Sequence, residues 1–392
     1  MTPVYICRMK RTAIGRYGGA LANMRPDDLA ARVIDAVCGG QGLPIDEVVL
    51  GCANQAGEDN RNVARMAVLL SSLPETVPAV TLNRLCASGL DAVIHGARSI
   101  AVGAQDLVIA GGVESMSRAP FVMPKAGAAF SRNAEIHDTT IGWRFVNEQI
   151  AKRCGIESMP ETAENIAAEK NISRVDQDAF ALLSQQRYDA AWHAADIVPV
   201  AVGGAKGQPG MVSTDEHPRS TTLEKLAALP APFRKGGTVT AGNASGVNDG
   251  AAALLLASDK AVKRFNLSPL ARITHAASAG VAPRLMGLGP VAALERLQAQ
   301  NGREARDYDV IELNEAFAAQ VLGCTRAWGL PDGAENLNAK GGAISMGHPL
   351  GMSGARIAGT AARRLHESGG KSALVTLCVG VGQGVAMCLE RA

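Results

Sequence analysis

The sequence predicts an α/β fold, and three observations carry that prediction. Short β-branched runs alternate with helical periodicity in the first third of the chain and again in the last third. Between them, from Ser115 to Asn243, prolines, charges and polar residues interrupt the alternation. Finally, Ser88-Gly89, a helical stretch, Gln105-Asp106 and an apolar strand are echoed by Ser353-Gly354, a helical stretch, Gly370-Lys371 and an apolar strand. The spacing of the two copies nearly matches. Together these features predict a mostly parallel sheet covered on both faces, built from two halves of similar topology around an inserted domain.

The elements follow in order. Val4 to Cys7 is a first strand, and Asp27-Asp28 opens a helix through Val37. Val48 to Gly51 is a second strand. Asn60 to Ser71 places Val63, Met66, Ala67 and Leu70 on one helical face. Val77 to Leu82 reads as a strand, and a buried helix starts near Ser88. The run Asp106 to Gly112 is a fully apolar strand ending on glycines. Within the insertion, Glu161 to Glu169 and Val175 to Ala194 read as helices, with loops at Pro120 to Trp143 and Ala205 to Pro218. Sheet-like sequence resumes at Thr238-Val239-Thr240 and at Ala251 to Ala257. In the last third, Asp309 to Leu313 is a strand, Gly351 opens a helix through Leu365, and Ser372 to Leu377 and Val385 to Leu389 are strands.

The totals restrict the function. With 392 residues and 47% apolar content the chain buries a large core. Lys plus Arg number 39 against 37 Asp plus Glu, which gives no reason to expect nucleic acid or an anionic membrane as partner. Any anionic ligand is held by a local group of residues. Eight cysteines are scattered without a C-x-x-C pair, so neither a zinc site nor a disulfide framework is expected. With no apolar leader segment and no long apolar run, the chain reads as a protein of the reducing cytoplasm.

Four windows carry chemistry. Asn83-Arg84-Leu85-Cys86-Ala87-Ser88-Gly89 puts Cys86 between a strand and a helix, near the positive end of a helix dipole, where thiolate is favoured. Small neighbours leave room for a substrate. The residues alone leave two readings open, a nucleophile or a buried structural cysteine. Gly341 to Gly351 sets His348 in a glycine-rich turn, with Pro349 fixing the backbone after it. Leu377-Cys378-Val379-Gly380-Val381-Gly382-Gln383-Gly384 places a second cysteine at a strand end, beside peptide N–H groups bared by glycine. Asn314-Glu315-Ala316-Phe317 follows a strand, and Asn314 suits a helix cap as well as a site residue. Dinucleotide binding is excluded at the Gly380 run because strand follows it. A P-loop ending at Gly370-Lys371-Ser372 is excluded by Leu365 at the first glycine position.

Taken in order, these four windows resemble the motifs of the thiolases, and the resemblance runs along the whole chain. It implies a five-layered α/β/α/β/α core of two similar halves with an inserted loop domain, assembled as a homodimer or homotetramer. The division implied is residues 1–117 with 246–268 for the half bearing the nucleophile, 118–245 for the loop domain that binds coenzyme A and sets specificity, and 269–392 for the other half. By the same resemblance Cys86 accepts the acyl group, His348 activates it, and Cys378 moves the proton on the acetyl α-carbon. A thiolate suits this task because it attacks a keto carbon and leaves a thioester that free coenzyme A can attack. One oxyanion hole would use His348 and a water held by Asn314, the other the N–H groups of Cys86 and Gly380. Coenzyme A enters as a co-substrate, with no permanently bound cofactor and no metal. Ser245 matches the serine against its pantetheine arm, and Met159, Arg219, Phe233, Met286 and Phe317 match positions near it, Arg219 toward the adenine end. Ser158 stands where the family often has histidine.

Within the family, Asp138 to Asn147 and Gly51 to Asn60 resemble 3-oxoadipyl-CoA thiolases of aromatic-compound breakdown. Their substrate carries a distal carboxylate, which calls for a cation: Arg144 first, Arg132 or Lys125 next. Arg144 as a loop or subunit contact is the competing reading. A general acetoacetyl-CoA thiolase working in either direction is the alternative function. A decarboxylating ketoacyl synthase and a non-catalytic scaffold fit the motifs less well.

Overall fold

The computed structural model describes residues 1–203 and 209–392. The N-terminal half contributes β1 (Val4–Arg11), α1 (Pro26–Cys38), β2 (Glu47–Gly51), α2 (Val63–Leu70), β3 (Ala79–Leu82), α3 (Ser88–Ala101) and β4 (Leu107–Ser115). After the insertion, with α4 (Met159–Glu169) and α5 (Arg174–Arg187), β5 (Asn248–Ser258) completes that half. The C-terminal half holds β6 (Ala271–Gly280), α6 (Gly289–Asn301), β7 (Val310–Leu313), α7 (Ala318–Ala327), α8 (Leu350–Ser368), β8 (Ser372–Val379) and β9 (Gln383–Arg391).

The strands run in the order β3-β2-β4-β5-β1-β6-β9-β8-β7. The two ends of this path mirror one another. Strands β2 and β4 pair parallel, as do β7 and β8; β4 with β5 and β8 with β9 pair antiparallel. Even the outer parallel partner β3 has its counterpart, a single bridge from Ile311 to Leu337. The halves join where β1 and β6 pair antiparallel over three residues, Val4 to Ile6 against Ala271 to Ile273. The strands are therefore mixed rather than mostly parallel. Helix crossovers give the parallel pairs, while β8 and β9 are joined by the turn at Gly380–Gly382, which permits only antiparallel pairing.

Packing makes five layers. Helices α1 and α2 cover one face of the N-terminal strands through a core of Leu29, Ile34, Val68 and Leu255. Helices α6 and α7 cover the outer face of the C-terminal strands. Between the two sets of strands lie α3 and α8, whose Leu90, Val93, Ile357 and Leu365 pack with Val108, Leu254, Val375 and Leu389 from both halves. The repeated Ser-Gly dipeptides lie where these two helices cross. A Cβ at Gly89 would overlap the Gly351 carbonyl, and one at Gly354 would overlap the Leu90 amide, so only glycine admits this approach.

Other expectations need correction. The helix expected over Val175 to Ala194 breaks at Tyr188, because the Asp189 carboxylate caps a second helix, Ala190–Ala194, by accepting the Trp192 N–H at 3.0 Å. Helix α2 starts late, since Asn60 and Arg61 have positive φ and Asn62 is the cap. Thr238 to Thr240 is not a strand: the N–H groups of Thr238 and Val239 bond the buried Glu164 carboxylate instead. The loop expected over Ala205 to Pro218 includes a short strand, Pro209–Val212, paired with Val200–Gly203; residues 205–208 of it lie outside the described residues. The insertion is tied to β1 by a buried ion pair. Arg11 donates to Asp215 at 2.7 and 2.9 Å, and Asp215 also accepts from the Ile14 N–H and the Tyr188 hydroxyl.

Candidate active site

The chain between β3 and α3 is a single helical turn, Leu85–Ala87, with Leu85 at φ 47°. Its shape is set locally. The Ser88 hydroxyl accepts the Arg84 N–H at 2.8 Å and donates to the Leu85 carbonyl at 2.7 Å, while Asn83 accepts the Leu85 N–H. The turn puts the half-buried Cys86 on the wall of a cavity of about 350 Å³, together with Asn54, Glu114, Arg144, Met159 and Gly380. Its resting protonation departs from the sequence expectation. Burial pushes the thiol up to about 11, the Gly380 N–H and its own N–H pull it down, and nearby Glu114 pushes it up. Desolvation outweighs the helix end, so the resting group is a thiol that needs a base.

His348 is held on three sides. Gly347 at φ 107° turns the chain, and the His348 N–H donates to Asn248 Oδ1 at 2.9 Å. Its Nδ1 lies 2.6 Å from Ser353 Oγ, whose hydroxyl donates to the Pro349 carbonyl at 2.8 Å. With the hydroxyl proton directed at Pro349, Oγ accepts, so Nδ1 carries the ring proton and Nε2 is the bare nitrogen. Burial and the charge of Arg356 push the ring down to about 3, leaving a neutral base. Asn314 Nδ2 stands 3.5 Å from Nε2, and Asn314 Oδ1 has no partner among the described residues. Asn314 is not a helix cap: Phe317 holds that position ahead of α7.

Cys378 ends β8, 1% exposed, packed with Met159, Ala244, Met286 and Phe317. Burial, then the proximity of Cys86, raises its thiol well above the usual range, so it is held protonated. Two residues on, Gly380 presents its N–H to the Cys86 sulfur. Ser245 reaches this neighbourhood because its N–H donates to the Ala316 carbonyl at 2.9 Å and Ala244 bridges to Phe317. Arg219 donates to the Ala241 carbonyl at 2.8 Å on the same loop, and Phe233 is exposed; neither lines the cavity. Of the three cations considered for a distal carboxylate, Arg144 alone is on the wall, while Lys125 and Arg132 are exposed away from it.

Sequence reading missed three residues that shape the site: Ser353, Asn248 and Glu114. Ser353 was within reach, five residues beyond His348 at the start of the expected helix. Glu114 lies two residues past the strand expected over Asp106 to Gly112, because that strand continues to Ser115. No group of acidic, His or Cys side chains arranged to hold a metal occurs among the described residues, and no helix there is long and apolar enough to cross a membrane.

Family models match nearly the whole chain: "Thiolase, N-terminal domain" over residues 4–260 and "Thiolase, C-terminal domain" over residues 267–391. The chain is 58% identical to the 3-oxoadipyl-CoA/3-oxo-5,6-dehydrosuberyl-CoA thiolase of Escherichia coli K12, covering 100% of both. It is 57% identical to the beta-ketoadipyl-CoA thiolase of Pseudomonas aeruginosa, covering 99% of each. Its fold is similar to the crystal structure of human mitochondrial 3-ketoacyl-CoA thiolase, with TM-score 0.92, 38% identity and coverage of 100% and 99%. The same human enzyme in complex with CoA gives TM-score 0.90 over 100% and 98%.

Proposed function

Because this chain belongs to the thiolase family, an acyltransferase family, we propose that it cleaves 3-oxoadipyl-CoA with coenzyme A to succinyl-CoA and acetyl-CoA. The observation that carries the substrate choice is the position of Arg144. It lines the Cys86 cavity and pairs with no carboxylate among the described residues. A distal carboxylate bound there is gripped by a charge-assisted hydrogen bond.

In the proposed reaction His348 Nε2 takes the Cys86 proton, and the thiolate attacks the 3-keto carbon. The bond between C2 and C3 then breaks, leaving a succinyl thioester on Cys86 and an acetyl-CoA enolate that takes its proton from Cys378. The resting protonation of these groups supports the assignment: a neutral imidazole to accept a proton and a buried thiol to give one. The N–H groups of Cys86 and Gly380 face the oxygen on the carbon bonded to the Cys86 sulfur, and His348 with a water held by Asn314 faces the enolate oxygen of acetyl-CoA. The coenzyme A thiol then gives its proton to the Cys378 thiolate and attacks the succinyl thioester, and Cys86 leaves as a thiolate that recovers its proton from His348. Ser245, Met159, Met286 and Phe317 surround its pantetheine arm, and Arg219 and Phe233 meet its outer end. The exposed Phe121, Met123 and Phe130 of the insertion support burial in a homodimer or homotetramer.

The test is thiolysis of 3-oxoadipyl-CoA against straight-chain 3-ketoacyl-CoAs, for wild type and Arg144→Gln. One lost hydrogen bond to a charge lowers kcat/KM for the dicarboxylate roughly 10- to 100-fold and leaves acetoacetyl-CoA nearly untouched. Equal losses on both substrates refute the assignment of Arg144.

A further inference from the structure

Glu114 is the penultimate residue of β4, beside the cavity, and is 2% exposed. Among the described residues no cation pairs with it. Its carboxylate instead accepts N–H groups from Ala53 at 2.9 Å, Asn54 at 3.0 Å and Gly351 at 2.8 Å, and the Cys52 thiol points at it from 3.8 Å. These donors come from both halves of the molecule. Ala53 and Asn54 belong to the loop after β2 that walls the cavity. Gly351 is the second residue of α8, three past His348 and two before Ser353.

We propose that Glu114 is a positioning residue for the thiolase reaction, clamping the cavity loop to the helix start that aims His348. The proposal rests on the thiolase reading of the site and not on the choice of a dicarboxylate substrate.

The clamp is strongest with an ionised carboxylate. Oε2 accepts from Ala53 and Gly351 and Oε1 from Asn54, so a proton on Oε1 displaces the Cys52 thiol and weakens the N–H bonds, which are charge-assisted only while the group is ionised. The titratable groups facing it are Cys52 and Asp59 from the loop after β2 and Cys86 from the turn ahead of α3; α8 meets it with the Gly351 amide. Burial pushes Glu114 up to about 7 and Asp59 to about 6. The charge-assisted form is therefore populated above neutrality, and the clamp weakens as pH falls through the raised value.

Acetoacetyl-CoA, which has no distal carboxylate, is the substrate for the test, so a wrong dicarboxylate assignment leaves the result untouched. In Glu114→Gln, kcat falls roughly tenfold or more at about pH 8, with KM little changed, since an amide NH₂ now faces backbone donors. The same variant reacts more slowly with iodoacetamide at Cys86, because a mis-aimed His348 takes the thiol proton less readily. The acidic limb of kcat, with its midpoint near neutrality in wild type, disappears. Loss of that limb is a signature that simple loss of structure does not produce. Unchanged alkylation, or an unchanged acidic limb in Glu114→Gln, overturns the proposal. So does a wild-type kcat that is flat from about pH 6 to 8, a measurement that requires no variant to fold. Failure of the thiolase reading shows separately, as turnover that survives Cys86→Ser.

Discussion

Replacing Ser353 with alanine isolates the tautomer of His348. In wild type the Ser353 hydroxyl accepts the Nδ1 proton at 2.6 Å, and the ring is only 5% exposed. Without the hydroxyl, an Nδ1–H is buried with no acceptor, at a cost of about 1–3 kcal/mol. The ring relieves this by moving its proton to Nε2, next to the Asn314 amide. That is the nitrogen assigned to take the Cys86 proton, so the competent tautomer falls by roughly 5- to 150-fold. Thiolysis of acetoacetyl-CoA measures kcat, and iodoacetamide labelling measures Cys86 ionisation. Both drop by a similar factor while KM and the melting temperature stay close to wild type, because one oxygen leaves and no large cavity forms. Ser353→Cys, with its weaker acceptor, falls between. A Ser353→Ala enzyme with kcat within about twofold of wild type contradicts the tautomer argument.

Three further outcomes concern stability. His217 is buried with both ring nitrogens unpartnered, and burial with the charges of Arg219 and Arg16 pushes it down to about 4. The unfolded chain takes up this proton first, so His217 lowers stability as pH falls from its ordinary value toward the depressed one. His217→Phe should therefore gain about 2 kcal/mol relative to wild type between pH 7 and pH 5 in denaturant titrations; a pH-independent difference contradicts this. Asp215→Ala strands the fully buried Arg11 guanidinium and lowers stability by about 3–5 kcal/mol, and the double variant Arg11→Met/Asp215→Leu recovers most of that loss. Gly112→Ala drives a Cβ into the Gly351 carbonyl and prevents soluble expression, whereas Gly127→Ala, whose Cβ meets no atom of the described residues, melts like wild type.

Much of this architecture is legible in the sequence because its signals are local. Strand β4 and helix α3 announce themselves by apolar runs and helical spacing, and the paired Ser-Gly dipeptides mark the crossing of α3 and α8. Strand β6, Ala-Arg-Ile-Thr-His-Ala-Ala-Ser-Ala-Gly, is not legible: alanines and polar residues hide it, and it becomes a strand by pairing with β1 and β9. Strand direction escaped for a similar reason, since the partner of a strand is settled by tertiary contacts. The protonation of Cys86 was read from the helix end alone, and the walls that desolvate it come from distant segments. Glu114 joins residues that lie far apart along the chain, a relation no local window contains.

Helices α3 and α8 have strands on both sides and one another between, so apart from His95 and Arg98 of α3 and the last turn of α8 they meet little solvent. Parting the halves would expose the central apolar seam of the whole protein. Opening for a bulky thioester therefore costs least in the loop residues that line the cavity, Thr140 to Arg144 among them, and most along the seam between the halves.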